Sequence, residues 1–433
     1  MPGPSSYFDP ARAADLDAET RSLVERRQRA LGSAYRLFYD RPIRFVRGLG
    51  TKLWDADGTE YLDAYNNVPS VGHAHPRVVA AMAEQAATLN IHTRYLHEGI
   101  LDYAEDLLST MPDEIGNVMF ACTGSEANDL ALRIAKHATG GTGVIVTANA
   151  YHGVTAEIAA ISPSLGGLES LAGWVRYVPA PGPGVDFAAH VRDALASLER
   201  SGIRPAALIV DTIFASDGVI PDAAGLVDAV AAVRAAGGLF IADEVQPGFG
   251  RLGTGLWGFD RYGITPDLVT IGKPMANGQP VSAVLARPDL IDAFGREVRY
   301  FNTFGGSTVS IAAAQATLDV VRDENLIENA RVVGAYLAAG LRGLASTHTT
   351  VSDVRASGLF IGVELDAGSP ASSERLALAV VNGLREHGVL LAASGAGNNV
   401  LKVRPPLPFS LGDADRLLTE LDAQLAIGEL TEL

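Results

Sequence analysis

The sequence predicts an α/β protein, with a large domain built on a mostly parallel sheet and a smaller α+β domain beside it. Two observations carry that prediction. Between Asn117 and about Ala286, short apolar runs alternate with Ala-rich helical stretches, the pattern of strand and helix units laid down in turn. After about Ile311 the pattern changes to long helical periods and two extended segments, 358–365 (GLFIGVEL) and 399–407 (NVLKVRPPL).

In chain order the predicted strands of the large domain are 118–121 (VMFA), 144–147 (VIVT), 207–210 (ALIV), 239–242 (LFIA), 268–271 (LVTI) and 281–286 (VSAVLA). The stretch 179–184 (PAPGPG) reads as a loop, and no repeat or low-complexity tract interrupts the chain. The large domain is placed at 72–310. The N-terminal stretch 1–71 is expected to pack with 311–433 to form the small domain.

Composition limits the function classes. A chain of 433 residues with 48% hydrophobic side chains can bury a large core. A formal net charge of −16 offers no basic patch for a phosphate backbone, which argues against nucleic acid as a partner. Cys122 is the only cysteine, so no intramolecular disulfide is possible, and the first residues lack a basic stretch followed by an apolar one. Asp228 and Arg234 break the most Ala/Val-rich region below the ~18 apolar residues a membrane span needs. A cytoplasmic protein with no membrane association is expected.

In open α/β sheets, ligands bind beyond the carboxyl ends of the strands. Lys273 stands there, after LVTI, in an apolar neighbourhood where a desolvated amine can lose its proton and attack a carbonyl. Taken alone it reads rather as an ordinary surface lysine, and only the residues around it favour the chemical role. Asp243 ends the run LFIAD and would be buried unless paired with something basic, such as a pyridinium nitrogen or a structural cation. The segment 122–128 (CTGSEAN) lies between a strand and a helix, so its amides and hydroxyls open a helix N-terminus, a phosphate-binding geometry. Two decoys are set aside. The stretch 248–253 (GFGRLG) fits G-x-G-x-x-G but precedes no helix pattern, and the His73/His75 pair reads as a structural turn, so no metal site is expected.

Taken together, seven ordered motifs make the chain resemble the class III aminotransferases, a branch of the fold-type-I pyridoxal-phosphate (PLP) enzymes. They are YLDAYNNVPSVGHAHP, ACTGSEANDLALRIAKH, NAYHG, ADEVQPGFGRLG, PDLVTIGKPMANGQP, FNTFGGS and VLKVRPPLPF, spread over roughly 44–409. The resemblance implies pyridoxal 5'-phosphate as cofactor, Lys273 as its Schiff-base lysine and Asp243 as partner of the ring nitrogen. It further implies that Gly124 and Ser125 cradle the phosphate, that Tyr151 and His152 of the AYHG motif lie at the ring, and that Gln246 reaches the ring hydroxyl. Thr303 would reach the phosphate from a neighbouring subunit, implying a homodimer with shared sites, and Arg404 would bind a substrate carboxylate.

On that resemblance the expected activity is transfer of an amino group from an amine or amino acid to a keto acid. One departure favours another use. Where many relatives read EPIQGE and cover the arginine with the second glutamate, this chain has Ser216. The phospho-lyase branch, which eliminates phosphate from phosphoethanolamine or a similar phosphorylated amine, also lacks that glutamate. Arg36, Arg44 or Arg404 could hold a substrate phosphate as readily as a carboxylate. A nicotinamide-dependent oxidoreductase would need its glycine fingerprint at the first strand-to-helix turn, which is absent. Intact Lys273 and Asp243 argue against a non-catalytic scaffold.

Overall fold

The computed structural model describes residues 7–432, with side chains described through 428. Its centre is a seven-stranded sheet in the order Asn117–Ala121, Ser282–Ala286, Leu268–Ile271, Leu239–Asp243, Pro205–Asp211, Gly143–Thr147 and Val175–Val178. Only Ser282–Ala286 runs against its neighbours. All six predicted runs are strands. The seventh, Val175–Val178, escaped prediction because it is a short edge strand that carries Arg176 and the half-exposed Tyr177.

Strand alternation explains how this sheet holds two layers of helices apart. Ile145, Leu208, Val210, Phe240 and Ala242 join one core. Val144, Val146, Ala207, Ile209 and Ile241, their neighbours in sequence, join the other. Because both faces are covered, the central strands read as nearly continuous apolar runs, with Thr270 a polar exception inside one of them.

The two extended C-terminal segments pair antiparallel, as Phe360–Leu365 and Val400–Val403, inside a four-stranded sheet completed by Val351–Ser357 and Ala392–Ser394. A third sheet joins the chain ends. Strands Phe45–Leu49, Lys52–Asp55 and Glu60–Asp63 accept Val389–Leu390 as a parallel neighbour, Leu62 opposite Val389. The short strands near the N-terminus alternate weakly and were invisible in the periodicity. Among the described residues no helix is long and apolar enough to cross a membrane.

Candidate active site

Lys273 follows the fully buried strand Leu268–Ile271 and is the one residue of its turn forced to φ 27°, between Gly272 and Pro274. Proline restricts the residue before it, and a side-chain-bearing residue at positive φ is strained, so the surroundings must hold this conformation. Ser70 helps, its hydroxyl donating to the Pro274 carbonyl at 2.7 Å. The ammonium lies 6.0 Å from the centre of the Tyr151 ring. Burial, reinforced by the nearby Arg404 charge and opposed by Asp243 and Asp211, lowers its pKa to about 8.

Asp243 ends the adjacent strand and is 3% exposed. Its Oδ2 accepts from Asn128 Nδ2 at 2.9 Å and from His152 Nδ1 at 2.7 Å, while Oδ1 accepts the Val245 N–H at 3.0 Å. Asn128 is fixed in turn: Thr270 donates to its Oδ1 at 2.6 Å, and its Nδ2 also reaches the His152 carbonyl at 2.7 Å. A buried carboxylate held in this way is aimed as well as stabilised. Asn128 and Thr270 were missed from sequence. The available signal was a polar residue on the buried face of the helix Gly124–Thr139, among Ala127, Leu130, Ala131 and Ile134, and a threonine inside an apolar strand.

The helix Gly124–Thr139 begins with a full capping box. Thr123 Oγ1 accepts the Glu126 amide at 3.2 Å, and Glu126 accepts those of Cys122 at 2.7 Å and Thr123 at 3.1 Å. Gly124 and Ser125 occupy the first turn, where amides have no intrahelical acceptor. Gly124 is required for space: a Cβ there would stand 2.7 Å from Val245 Cγ1. The Ser125 hydroxyl accepts the Val154 amide at 3.1 Å, which ties the loop carrying Tyr151 and His152 to the helix start.

Arg404 comes from the C-terminal sheet. It leaves the strand Val400–Val403, donates its backbone amide to Ala64 at 2.9 Å and stacks over the Tyr65 ring at 4.5 Å. Its guanidinium is hydrogen-bonded to the neutral Gln246 amide oxygen, and its Nε is buried without a partner. Tyr65 is positioned by the fully buried Asp63, which accepts the amides of Tyr65 and Asn66 and meets His73 Nε2 at 2.7 Å. Ser216 lies on the loop after Pro205–Asp211, its carbonyl accepting from Asn149.

Lys273, Asp243, Tyr151, His152, Gln246 and Arg404 are thus brought together with the Gly124–Ser125 turn. Thr303 is not in this cluster: it is exposed on a loop that Asn302 fixes by accepting the Phe304 and Gly305 amides. Of the other arginines, Arg36 sits 5.5 Å over the Tyr7 ring, and Arg44 is ion-paired with Glu19 at the surface.

The decoys have structural explanations. Gly250 holds φ 83°, and a Cβ there would lie 2.6 Å from Ile327, so this glycine admits the helix Leu326–Ala345 at close approach. His73 and His75 turn to different carboxylates, Asp63 and Glu324. Among the described residues no three His, Cys, Asp or Glu side chains gather as a metal-binding group.

The profile of the family described as Aminotransferase class-III matches residues 38–425. The chain is 37% identical over 450 residues to an ethanolamine-phosphate phospho-lyase homolog 1 of Caenorhabditis elegans, covering 96% of each. It is 38% identical over 419 residues to a Drosophila melanogaster protein named alanine–glyoxylate aminotransferase 2-like, covering 91% of this chain and 85% of that one. Its fold superposes with TM-score 0.89 and 41% identity on an Arthrobacter phospholyase solved in complex with phosphoethanolamine, covering 93% of this chain and 99% of the other. With a lysine at a strained strand end, a buried aspartate and an open helix start on one cleft, and with these likenesses along its length, this chain belongs to the class III aminotransferase family of PLP-dependent, fold-type-I enzymes.

Proposed function

We propose that the chain is a PLP-dependent phospho-lyase that eliminates phosphate from phosphoethanolamine or a similar phosphorylated amine. The observation that carries this reading is the state of Arg404. Its partner is the neutral Gln246, and Ser216 stands where a glutamate would otherwise pair with it. A transaminase must accept two substrates in turn, and a glutamate that alternately covers and releases the arginine serves that need. An enzyme with one anionic substrate has no such need. The likeness to the phosphoethanolamine-bound Arthrobacter phospholyase supports the same reading.

The residues present fit pyridoxal phosphate. The Gly124 and Ser125 amides at a helix N-terminus suit its phosphate, the buried Asp243 suits a protonated ring nitrogen, and the Lys273 amine suits its aldehyde. Tyr151 and His152 would lie at the ring and Gln246 near its hydroxyl, the last shared with Arg404. When bound, the cofactor supplies an electron sink at the substrate carbon that carries the amine.

The Lys273 amine would take the proton from that carbon, a role its depressed pKa suits. Asp243, held by Asn128 and His152, would present its carboxylate to the ring nitrogen. As the bond from the neighbouring carbon to the phosphate oxygen breaks, Arg404 stabilises the charge gathering on the leaving group. Thr303 would complete the phosphate cradle of a second copy in a homodimer; the exposed Leu96 and Phe304, 98% and 71% accessible, support such an interface.

The test is purified, cofactor-loaded enzyme with O-phosphoethanolamine and no keto acid, following inorganic phosphate and the cofactor spectrum together. Phosphate released over many turnovers, with the aldehyde form persisting, is expected. The second reading, an aminotransferase, is supported by the name of the Drosophila relative. It would show itself as conversion of the cofactor to its pyridoxamine form without phosphate release.

A further inference from the structure

Tyr151 stands between two anchored residues. On one side, His152 is held through its ring by Asp243, and its amide donates to the Ser162 hydroxyl oxygen at 3.0 Å. On the other, Asn149 is gripped twice by the loop that follows the strand Pro205–Asp211. Its amide donates to Asp217 Oδ1 at 3.1 Å, and its Nδ2 donates to the Ser216 carbonyl. Asp217 also takes the strand end just before Asn149: its Oδ2 accepts the Thr147 hydroxyl at 2.7 Å.

The loop that supplies these grips is itself a firm post. Phe214 and Val219, both buried, hold φ 50° and 64°, where a side chain is strained and a β-branched one most of all. Such backbone persists only where its surroundings over-determine it. Here Asp211 accepts the amides of Ile213 at 2.9 Å and Ala215 at 2.8 Å, and Arg355 of the C-terminal sheet donates to the Gly218 and Val219 carbonyls.

The two carboxylates of this region therefore serve different ends. Asp211 closes its own turn, whereas each oxygen of Asp217 accepts from the segment that leads into Tyr151, 68 and 70 residues away. Burial pushes the Asp217 carboxyl up to about 6, with the Thr147 hydroxyl opposing and the Asp211 charge adding. A carboxylate in so unfavourable a place depends on its partners, and these partners belong to the Tyr151 segment.

We propose that Asp217 is a positioning residue: it joins the loop anchored on the C-terminal sheet to the loop of Tyr151, and so sets where the Tyr151 ring stands against the cofactor. The inference rests on the reading that Tyr151 lies at the cofactor ring. The loops of Ser216 and Tyr151 then move as one body.

The experiment loads wild type, Asp217→Ala, Asp217→Asn, Thr147→Val and Tyr151→Ala with pyridoxal phosphate. It reads cofactor affinity by equilibrium dialysis and visible circular dichroism per bound cofactor, which reports how the ring is seated. Neither signal depends on the substrate, so the test stands apart from the phospho-lyase reading. Asp217→Ala should bind the cofactor about tenfold more weakly and lose much of the dichroism. Asparagine can accept the Asn149 amide and donate to the Thr147 hydroxyl, so Asp217→Asn should recover most of both signals. Thr147→Val removes one bond of the same link with a near-isosteric side chain and should weaken binding by about threefold; it carries the test if Asp217→Ala does not fold. Both signals unchanged in Asp217→Ala, whatever its melting temperature, overturn the proposal when Tyr151→Ala loses them. A loss that Asp217→Asn does not recover assigns the effect to charge and also overturns it. If Tyr151→Ala keeps both signals, Tyr151 is not at the ring, and the proposal falls with that placement.

Discussion

Asp243 receives three N–H groups from the fold, whereas Arg404 has one neutral partner and a buried Nε with none. Both charges bear on Lys273, and they come from different sheets. Asp243 is at the end of a central parallel strand, and Arg404 is beyond a strand of the C-terminal sheet. A satisfied carboxylate is fixed before any ligand arrives, and an under-satisfied cation is completed by one. The first arrangement suits a resident cofactor, and the second suits a substrate that comes and goes.

The largest break in this comparison should come from the residue between the two ends. Lys273→Ala would remove the proposed covalent anchor and proton carrier, and turnover should fall by about 10²- to 10⁴-fold or more, read as phosphate release with the absorbance of bound cofactor. Full turnover in that variant would sink the central assignment.

A matched pair of variants then separates the two ends. Asn128→Ala deletes a charge-assisted hydrogen bond to Asp243, worth roughly 1.5–3 kcal/mol, and should weaken cofactor affinity by about 10- to 100-fold in equilibrium dialysis. Arg404→Leu should raise KM for the phosphorylated amine by a similar factor of about 10 to 100 and leave cofactor retention intact. Were both variants to lose cofactor alike, the division into a fixed end and a waiting end would be wrong.

A smaller effect follows from pH. Lys273 titrates at about 8 in the folded chain, below its ordinary 10.5. In cofactor-free protein the unfolded chain then binds the extra proton between those values, so this group's contribution to stability rises with pH from about 8 to about 10.5. Only the neutral amine attacks an aldehyde. Stopped-flow reconstitution with pyridoxal phosphate should therefore accelerate by about tenfold per pH unit below 8 and level off above it. A flat profile from pH 6 to 9 would show that the amine is already neutral. The smallest change is expected of Arg44→Ala: its exposed pair with Glu19 should contribute little, so KM for the phosphorylated amine should stay within a factor of about two.

Where a residue's role depended on being at a strand end, the sequence was readable. Asp243 and Lys273 end or follow unbroken apolar runs, so a charge there stands out by contrast. The helix start within 122–128 was equally local, its hydroxyls standing between a strand and a helix pattern. Asn128 and Thr270 carried no such contrast, because a single polar residue inside an apolar pattern looks the same whether it is an exposed defect or the support of a buried carboxylate. Val175–Val178 was lost for the converse reason: an edge strand has one wet side and dilutes its own pattern.

The order of apolar runs, the turn chemistry of the helix start and the place of Lys273 at a strand end were set along the chain, since each depends on neighbours within a few residues. What met Lys273 was decided only by tertiary structure. Gln246 against Arg404 and Tyr65 beneath that guanidinium join positions separated by more than 150 residues. Those meetings follow from how the C-terminal sheet and the N-terminal loop close over the parallel sheet, and packing at that range leaves no periodic signature in sequence.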